Sequence, residues 1–269
     1  MVRELLSTAA KKLSCSETPM LDARVLLAKA MKKENAALIF EMPDEKQLRI
    51  FEGYVQQREK GVPVAYILGE KEFMGLTLSL NQDTLIPRPD TECLVEKIIE
   101  KNPFPSPKIL DLCTGSGCIG ISLVKFINGA HCDLTDICEN ALDAAKKNTI
   151  SNQVEGMTDI FRLDILNDDI KTGYNIIVSN PPYIKSDIVP TLDVSSFEPC
   201  RALDGGDDGL DFYRAIAKKA YDVLPQGGML ALEIGYDQGE DVKNLLREFS
   251  SVELFKDYGN NDRVIIAVK

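Results

Sequence analysis

One short segment of the sequence carries residue types suited to holding a planar nitrogen. An apolar run at 176–179 leads directly into Asn180, Pro181, Pro182 and Tyr183. Asn180 offers an amide oxygen, and the prolines fix φ and lack N–H donors, which leaves carbonyl oxygens free to accept. A planar NH2 group could donate its two hydrogens to Asn180 and the Pro181 carbonyl, with the Tyr183 ring stacked on it. The segment therefore predicts a site that holds a weakly nucleophilic amide or amino nitrogen for attack on a sulfonium methyl group.

A second segment indicates a nucleoside cofactor. After an apolar run at 109–112, Gly115, Gly117 and Gly120 stand in G-x-G-x-x-G spacing at the start of a predicted helix. Glycine permits a sharp turn and a close approach of the backbone to a ligand, and a helix N-terminus offers free N–H groups. Asp136 ends the next predicted strand, 21 residues after Gly115, where a carboxylate can accept both ribose hydroxyls. This pattern alone does not separate a dinucleotide from S-adenosylmethionine.

Two further acids discriminate between these cofactors. Asp111 precedes the glycine loop, where its charge would repel a pyrophosphate but suit the ammonium of a methionine moiety. Asp164 ends the third predicted strand and could accept a hydrogen bond from the adenine amino group. Asp111 favours S-adenosylmethionine, whereas Asp164 suits the adenine of either cofactor. The remaining cofactor contacts are expected from Thr91, Cys113, Thr114, Ser116, Ile137, Ile165 and Asn180.

Composition excludes several other classes of protein. The 269 residues include one histidine, His131, and seven cysteines without a C-x-x-C pair. A Ser-His-Asp triad or a histidine-rich metal site is therefore disfavoured, and we expect no bound metal. The net charge is −11, with +1 in residues 1–75 and −12 in the remainder. Without a basic stripe to neutralise phosphates, the chain is not expected to bind nucleic acid directly.

The elements that must position these residues form two predicted domains. Residues 1–70 show apolar residues at helical spacing and predict a bundle of about four helices. Residues 71–90 form a hairpin and connector, and in 91–269 strands alternate with helices, which predicts a doubly wound, mostly parallel α/β sheet. The last two strands are too close in sequence for a parallel crossover and should pair antiparallel. The sequence has no apolar run of membrane-spanning length, and its amphipathic start carries Glu4, so we expect a cytoplasmic protein. We also expect it to be a monomer.

Taken with their context, these motifs resemble a known family. Asn-Pro-Pro-Tyr after the fourth strand resembles S-adenosylmethionine-dependent methyltransferases that act on planar amide or amino nitrogens. The segments 65–76, 84–96 and 197–214 are similar to one subfamily, the release factor glutamine N5-methyltransferases of the HemK/PrmC type. The resemblance covers essentially the whole chain. It implies a seven-stranded sheet, S-adenosylmethionine as cofactor, and as substrate the glutamine of the Gly-Gly-Gln motif in class 1 peptide chain release factors.

Several details depart from this family or stay open. The family usually has glycine where Cys113 stands, and an aromatic residue is common where Ile165 stands. Arg88 and Thr91 are candidates to close over the cofactor or to contact the partner. The near-neutral residues 1–70 are predicted to recognise the substrate protein.

Three other functions share some of these features. A nucleic-acid adenine-N6 methyltransferase shares both motifs, but the acidic catalytic half argues against it. An NAD-dependent dehydrogenase shares only the glycines, and a non-enzymatic binding protein would need a degraded site.

Overall fold

The protein is described by a computed structural model that covers residues 2–33 and 41–269. Met1 and residues 34–40, which belong to the predicted bundle 1–70, lie outside the described residues. Two units emerge from the contacts along the chain, Met1–Glu70 and Lys71–Lys269. No helix in the described ranges is both long and apolar enough to cross a bilayer.

The first unit is helical. Its helices within the described ranges are α1 (Val2–Lys12), α2 (Pro19–Met31), α3 (Glu45–Glu59) and α4 (Val64–Leu68). Asp44 starts α3 with a capping box, in which it and Gln47 each accept from the other's backbone N–H, an arrangement that satisfies free donors of the first turn. Leu26, Leu27 and Phe51 are almost fully buried in the shared core. The expected helical bundle is confirmed in the described residues.

A hairpin that starts at Glu70, the last residue of the first unit, is followed by strands alternating with helices. The strands are β1 (Glu70–Phe73), β2 (Leu76–Ser79), β3 (Lys108–Leu112), β4 (His131–Asp136), β5 (Thr158–Arg162), β6 (Ile176–Ser179), β7 (Met229–Glu233), β8 (Ser251–Lys256) and β9 (Asp262–Val268). The helices are α5 (Pro89–Lys101), α6 (Cys118–Phe126), α7 (Glu139–Ser151), α8 (Asp211–Val223) and α9 (Gly239–Leu245).

Strands β3 to β9 form one seven-stranded sheet in the order β5-β4-β3-β6-β7-β9-β8. Strand β9 runs antiparallel to both of its neighbours, and the other strand pairs are parallel. The predicted doubly wound, mostly parallel sheet is therefore confirmed, as is the antiparallel pairing of the last two strands.

Helices cover both faces of this sheet, because neighbouring strand residues point to opposite sides. Ile109 and Ile176 pack in one buried cluster with residues of α5, α6 and α7. Leu110 and Ile177, each one position later, pack in a second cluster with residues of α8 and α9. Such two-sided burial explains why the strands read as continuous apolar runs rather than alternating ones.

Candidate active site

The predicted motifs meet where the strand order reverses, at the carboxyl edge between β3 and β6. From β3 the order continues to β4 and β5, and from β6 it continues to β7 in the other direction. Leu112 and Ser179, the last residues of β3 and β6, are paired in register. The Ser179 hydroxyl donates to the Leu112 carbonyl at 2.7 Å. The glycine loop and the Asn-Pro-Pro-Tyr segment thus leave the sheet at one level, in the crevice where doubly wound sheets bind ligands.

Asp111 lies behind the glycine loop and holds it from inside. Its side chain is fully buried, and Oδ2 accepts from the Thr114 hydroxyl at 2.6 Å and from the Gly120 N–H at 3.0 Å. Burial raises the pKa of Asp111 to about 7. The sequence interpretation assigns this carboxylate to a methionine ammonium, whereas the structure directs one oxygen to the loop. No partner for Oδ1 exists among the described residues.

The loop glycines differ in what they allow. Gly117 has φ +82° at the start of α6, a conformation that glycine adopts without strain. A Cβ at Gly120 would collide with the Leu134 side chain and lie 2.8 Å from Cys132 Sγ, so α6 packs on β4 only with glycine there. Nothing lies within 4 Å of a Cβ at Gly115, which faces open space.

Asp136, at the end of β4, accepts one backbone hydrogen bond on each carboxylate oxygen. Oδ2 accepts from the Gly115 N–H and Oδ1 from the Cys138 N–H, both at 2.9 Å. Burial raises its pKa. Each carboxylate oxygen can accept a second hydrogen bond, so a pair of ligand hydroxyls fits this side chain.

Twelve of the predicted site residues line one cavity at this edge of the sheet. They are Arg88, Thr91, Cys113, Thr114, Gly115, Ser116, Asp136, Ile137, Asp164, Ile165, Asn180 and Pro182. Asp164 accepts from the Leu166 N–H and the Asn167 amide, and the Asn167 bond lowers its pKa. Among the described residues, the lining does not include Asp111, Gly117, Pro181 or Tyr183. His131 begins β4, at the opposite edge of the sheet.

The Asn-Pro-Pro-Tyr segment is held by side chains from distant parts of the chain. Asn180 Nδ2 donates to the Thr91 hydroxyl at 3.3 Å. The carbonyl of Tyr183 accepts from the Gln238 amide at 3.0 Å, and its ring is partly buried against the second core cluster. Burial raises the pKa of the Tyr183 hydroxyl to about 12. The Tyr183 side chain thus remains a protonated, largely apolar ring near the cavity.

The stretch after Tyr183 packs directly onto this segment. A Cβ at Gly205 would lie 2.7 Å from Tyr183 Cα, and one at Gly209 would collide with the Tyr183 carbonyl. In the same stretch, buried Glu198 accepts a hydrogen bond from Arg88, and burial raises the pKa of Glu198. The bond to Glu198 therefore holds Arg88 in place in the wall of the cavity.

Sequence reasoning missed about half of the cavity lining. The additional residues are Asp83, Leu85, Pro87, Cys118, Ile119, Cys138, Leu163, Leu166, Arg201, Ala202 and Phe212. Some lie within one or two positions of predicted residues, and others lie in 197–214, the segment already noted for its family resemblance. Sequence reasoning also missed Glu233, a buried acid that ends β7. The signal for Glu233 is a single acid at the end of the otherwise apolar run MLALE.

Two family models that match the chain identify it as a methyltransferase. Residues 89–194 match the family model "Methyltransferase small domain", and residues 4–69 match "PrmC N-terminal domain". A solved structure of the hMettl16 catalytic domain in complex with MAT2A 3'UTR hairpin 6 superposes with a TM-score of 0.57. It covers 84% of this chain and 82% of that one at 18% identity, a likeness that concerns the fold alone.

Two curated relatives identify the family. The release factor glutamine methyltransferase of Clostridium acetobutylicum is 40% identical over 261 residues, which cover 93% of this chain and 91% of that protein. That of Clostridium botulinum is 39% identical over 260 residues, 93% of this chain and 92% of the relative. The chain belongs to the release factor glutamine methyltransferase family.

Proposed function

We propose that this enzyme transfers the methyl group of S-adenosylmethionine to the side-chain amide nitrogen of the Gly-Gly-Gln glutamine in class 1 release factors. The observation that carries the proposal is the pairing of Leu112 with Ser179. This pairing brings the glycine loop and the Asn-Pro-Pro-Tyr segment to one crevice. A cofactor held on one side is then within reach of an amide held on the other.

Residues of the glycine-loop side fit S-adenosylmethionine. Asp136 has two oxygens that can each accept a ribose hydroxyl, and the open space at Gly115 leaves room for close approach of a ligand. Ile165 is a buried apolar lining residue suited to an adenine face. When bound, S-adenosylmethionine supplies an electrophilic methyl group on a sulfonium.

On the other side, acceptor oxygens suit the glutamine amide. Asn180 uses Nδ2 to donate to Thr91, which leaves Oδ1 as the acceptor for one hydrogen of the glutamine NH2. The Pro181 carbonyl is the proposed acceptor for the second hydrogen. An amide nitrogen is delocalised and scarcely basic, so these groups act by orienting it in line with the methyl–sulfur bond rather than by deprotonating it beforehand. The extra proton leaves after transfer, to water.

The helical unit is proposed to recognise the protein that carries the glutamine. Its match to the PrmC N-terminal domain supports this role, as does its near-neutral net charge, which contrasts with the negative net charge of the catalytic half. The same acidic charge, −12 for residues 76–269, supports a protein substrate over a nucleic-acid adenine.

The test is to incubate the full chain with labelled S-adenosylmethionine and a purified class 1 release factor, followed by peptide mass mapping. We expect one methyl group on the Gly-Gly-Gln glutamine and none on a release factor in which that glutamine is replaced. Methylation of another residue would contradict the proposal. So would labelling of added nucleic acid with no label on the protein.

A further inference from the structure

Three separate segments of the chain meet at the side chain of Gln238, which the reaction described above does not use. Gln238 directly precedes α9 and is 8% exposed. Its Nε2 donates to the Tyr183 carbonyl at 3.0 Å and to the Gly209 carbonyl at 3.2 Å, and its Oε1 accepts from the Gly235 N–H at 2.9 Å. One buried amide therefore joins the Asn-Pro-Pro-Tyr segment, the stretch before α8 and the turn after β7.

The three bonds allow only one orientation of this amide. An amide NH2 group has two hydrogens to donate, and the amide oxygen can only accept. In Gln238 the NH2 group faces two carbonyls and the oxygen faces an N–H. A side chain turned by half a rotation would lose all three bonds, and buried polar groups without partners cost free energy. Gln238 thus holds the three segments in one relative arrangement.

The backbone beside Gln238 links two of these segments as well. The Ile184 N–H donates to the Leu203 carbonyl at 2.9 Å, and the Gly205 N–H donates to the Ile184 carbonyl at 2.8 Å. The same stretch leads into α8, whose second residue, Phe212, lines the cavity. Loss of the Gln238 bonds would therefore loosen the end of the Asn-Pro-Pro-Tyr segment together with this part of the cavity wall.

We propose that Gln238 is a positioning residue for methyl transfer, which fixes the Tyr183 carbonyl and thereby the backbone of the Asn-Pro-Pro-Tyr segment. The inference rests on the proposed function, since Asn180 and the Pro181 carbonyl, the proposed acceptors, lie three and two residues before Tyr183. Prolines 181 and 182 stiffen this short link because proline fixes φ. A shift at Tyr183 is therefore passed to the acceptors, and a misplacement of about 1 Å can lower kcat on the order of 10²-fold.

A second buried amide makes the same set of bonds on the glycine-loop side. Asn148 on α7 is fully buried. Its Nδ2 donates to the Ser116 carbonyl at 2.8 Å and to the Ser79 carbonyl at 3.0 Å, and its Oδ1 accepts from the Ser79 N–H at 2.7 Å. Gln238 and Asn148 thus match in burial and in their bonds but hold opposite sides of the cavity. If Gln238 acted only on folding, matched changes at the two amides would have the same functional consequence.

The kinetic test compares Gln238→Met and Gln238→Glu with the wild-type chain at saturating cofactor and alkaline pH, with kcat corrected for the folded fraction. Met has a similar length and removes all three bonds. An ionised Glu keeps the acceptor for the Gly235 N–H but has no hydrogen for either carbonyl. We expect both variants to lower kcat on the order of 10²-fold, with the affinity for S-adenosylmethionine within about threefold of wild type.

Two other variants serve for comparison. Asn148→Asp should weaken S-adenosylmethionine binding about tenfold, because the Ser116 carbonyl loses its donor, while kcat at saturating cofactor stays within about threefold. Asn175 lies just before β6, at the opposite edge of the sheet, and accepts from the Lys108 N–H at 2.9 Å. Asn175→Asp keeps this acceptor and should leave both quantities unchanged.

Hydrogen exchange in the substrate-free protein tests the same role without any reaction. The Ile184 and Gly205 N–H groups are bonded within the backbone, and their exchange with solvent reports local opening. We expect both to exchange about tenfold faster in Gln238→Met than in wild type, with the amides of residues 115–117 unchanged. Asn148→Asp should show the reverse pattern.

Four results would overturn the role of Gln238. Three are kinetic: near-normal kcat in folded Gln238→Met, near-normal kcat in Gln238→Glu at alkaline pH, and an equal loss of kcat in Asn148→Asp. The fourth is unchanged exchange at Ile184 and Gly205 in Gln238→Met. If the wild-type chain does not methylate a release factor, the proposed function fails instead, and the exchange measurement still decides on Gln238.

Discussion

The two sides of the cavity are held in place by different contacts. On the glycine-loop side (residues 113–120 with Asp136), carboxylates bind backbone N–H groups, as Asp111 does at Gly120 and Asp136 at Gly115. On the Asn-Pro-Pro-Tyr side (Thr91, residues 180–183 and Glu233), side-chain amides supply the bonds: Asn180 donates to the Thr91 hydroxyl and Gln238 donates to the Tyr183 carbonyl.

Each side contains a fully buried acid whose pKa is raised by burial to about 7, Asp111 in one and Glu233 in the other. Asp111 bonds to the glycine loop, whereas Glu233 ends β7, beside the strand that leads into Asn180. The glycine-loop side, whose contacts go to backbone N–H groups, should tolerate changed side chains and should mainly determine cofactor affinity. The Asn-Pro-Pro-Tyr side, which is held by side chains, should mainly determine kcat.

Asn180→Ala is expected to have the largest effect. It removes the acceptor for the glutamine NH2 and leaves the glycine loop and Asp136 unchanged. Loss of one preorganised polar partner typically lowers kcat on the order of 10²–10³-fold. Steady-state kinetics on a release factor and calorimetry with S-adenosylmethionine measure the two quantities separately. Asn180 also lines the cavity, so its loss can affect cofactor binding. We expect this change in cofactor affinity to be less than tenfold. Near-normal turnover would show that the segment is a scaffold.

Asp136→Ala is the reciprocal change on the other side. It removes the carboxylate proposed to accept the ribose hydroxyls, and the Gly115 and Cys138 N–H groups lose their partner as well. We expect weaker S-adenosylmethionine binding by roughly 1–3 kcal/mol, with kcat at saturating cofactor nearly retained. Isothermal calorimetry gives the affinity. A loss of kcat as large as that of Asn180→Ala would end the distinction between the two sides.

Most of the fold could be predicted because it follows from local pattern. Apolar runs identify the strands of the sheet, and helical spacing identifies the helices. The short connection between β8 and β9 determines the direction of β9. The cavity lining was predicted where it depends on residue type next to a strand end, as at Asp136 and Asn180, which both line the cavity. What sequence could not give are contacts between distant residues. Arg88 and Glu198 are 110 positions apart, and Thr91 and Asn180 are 89 positions apart. Whether Asp111 faces the cofactor or the loop depends on side-chain direction, which strand periodicity alone did not resolve.

If the helical unit recognises the substrate protein, an exposed apolar surface on α2 should contribute to binding it. Met20 and Leu21 are adjacent exposed apolar residues on α2, with 44% and 54% of their surfaces accessible. Replacing both with Ser should raise KM for an intact release factor by about 3–10-fold through lost apolar contact, with kcat and cofactor affinity retained. Ile150→Ser, at an equally exposed position on α7, is the matched control. An equal rise in KM for a short Gly-Gly-Gln peptide would place the effect in the catalytic unit rather than in recognition by α2.

Cys113→Gly is expected to have the smallest effect and tests the backbone argument most directly. Cys113 has φ +57°, in the left-handed region that glycine adopts without strain. The substitution relieves about 1 kcal/mol of strain but also loses some side-chain packing and adds freedom to the unfolded chain. Stability should therefore change by less than about 1 kcal/mol, measured by denaturant unfolding. If this side of the cavity works through its backbone, affinity for S-adenosylmethionine should stay within about threefold of wild type, since the carbonyl and N–H of residue 113 remain. A loss beyond tenfold would mean that the thiol itself contacts the cofactor, and the contrast with the Asn-Pro-Pro-Tyr side would then rest on Asp136 alone.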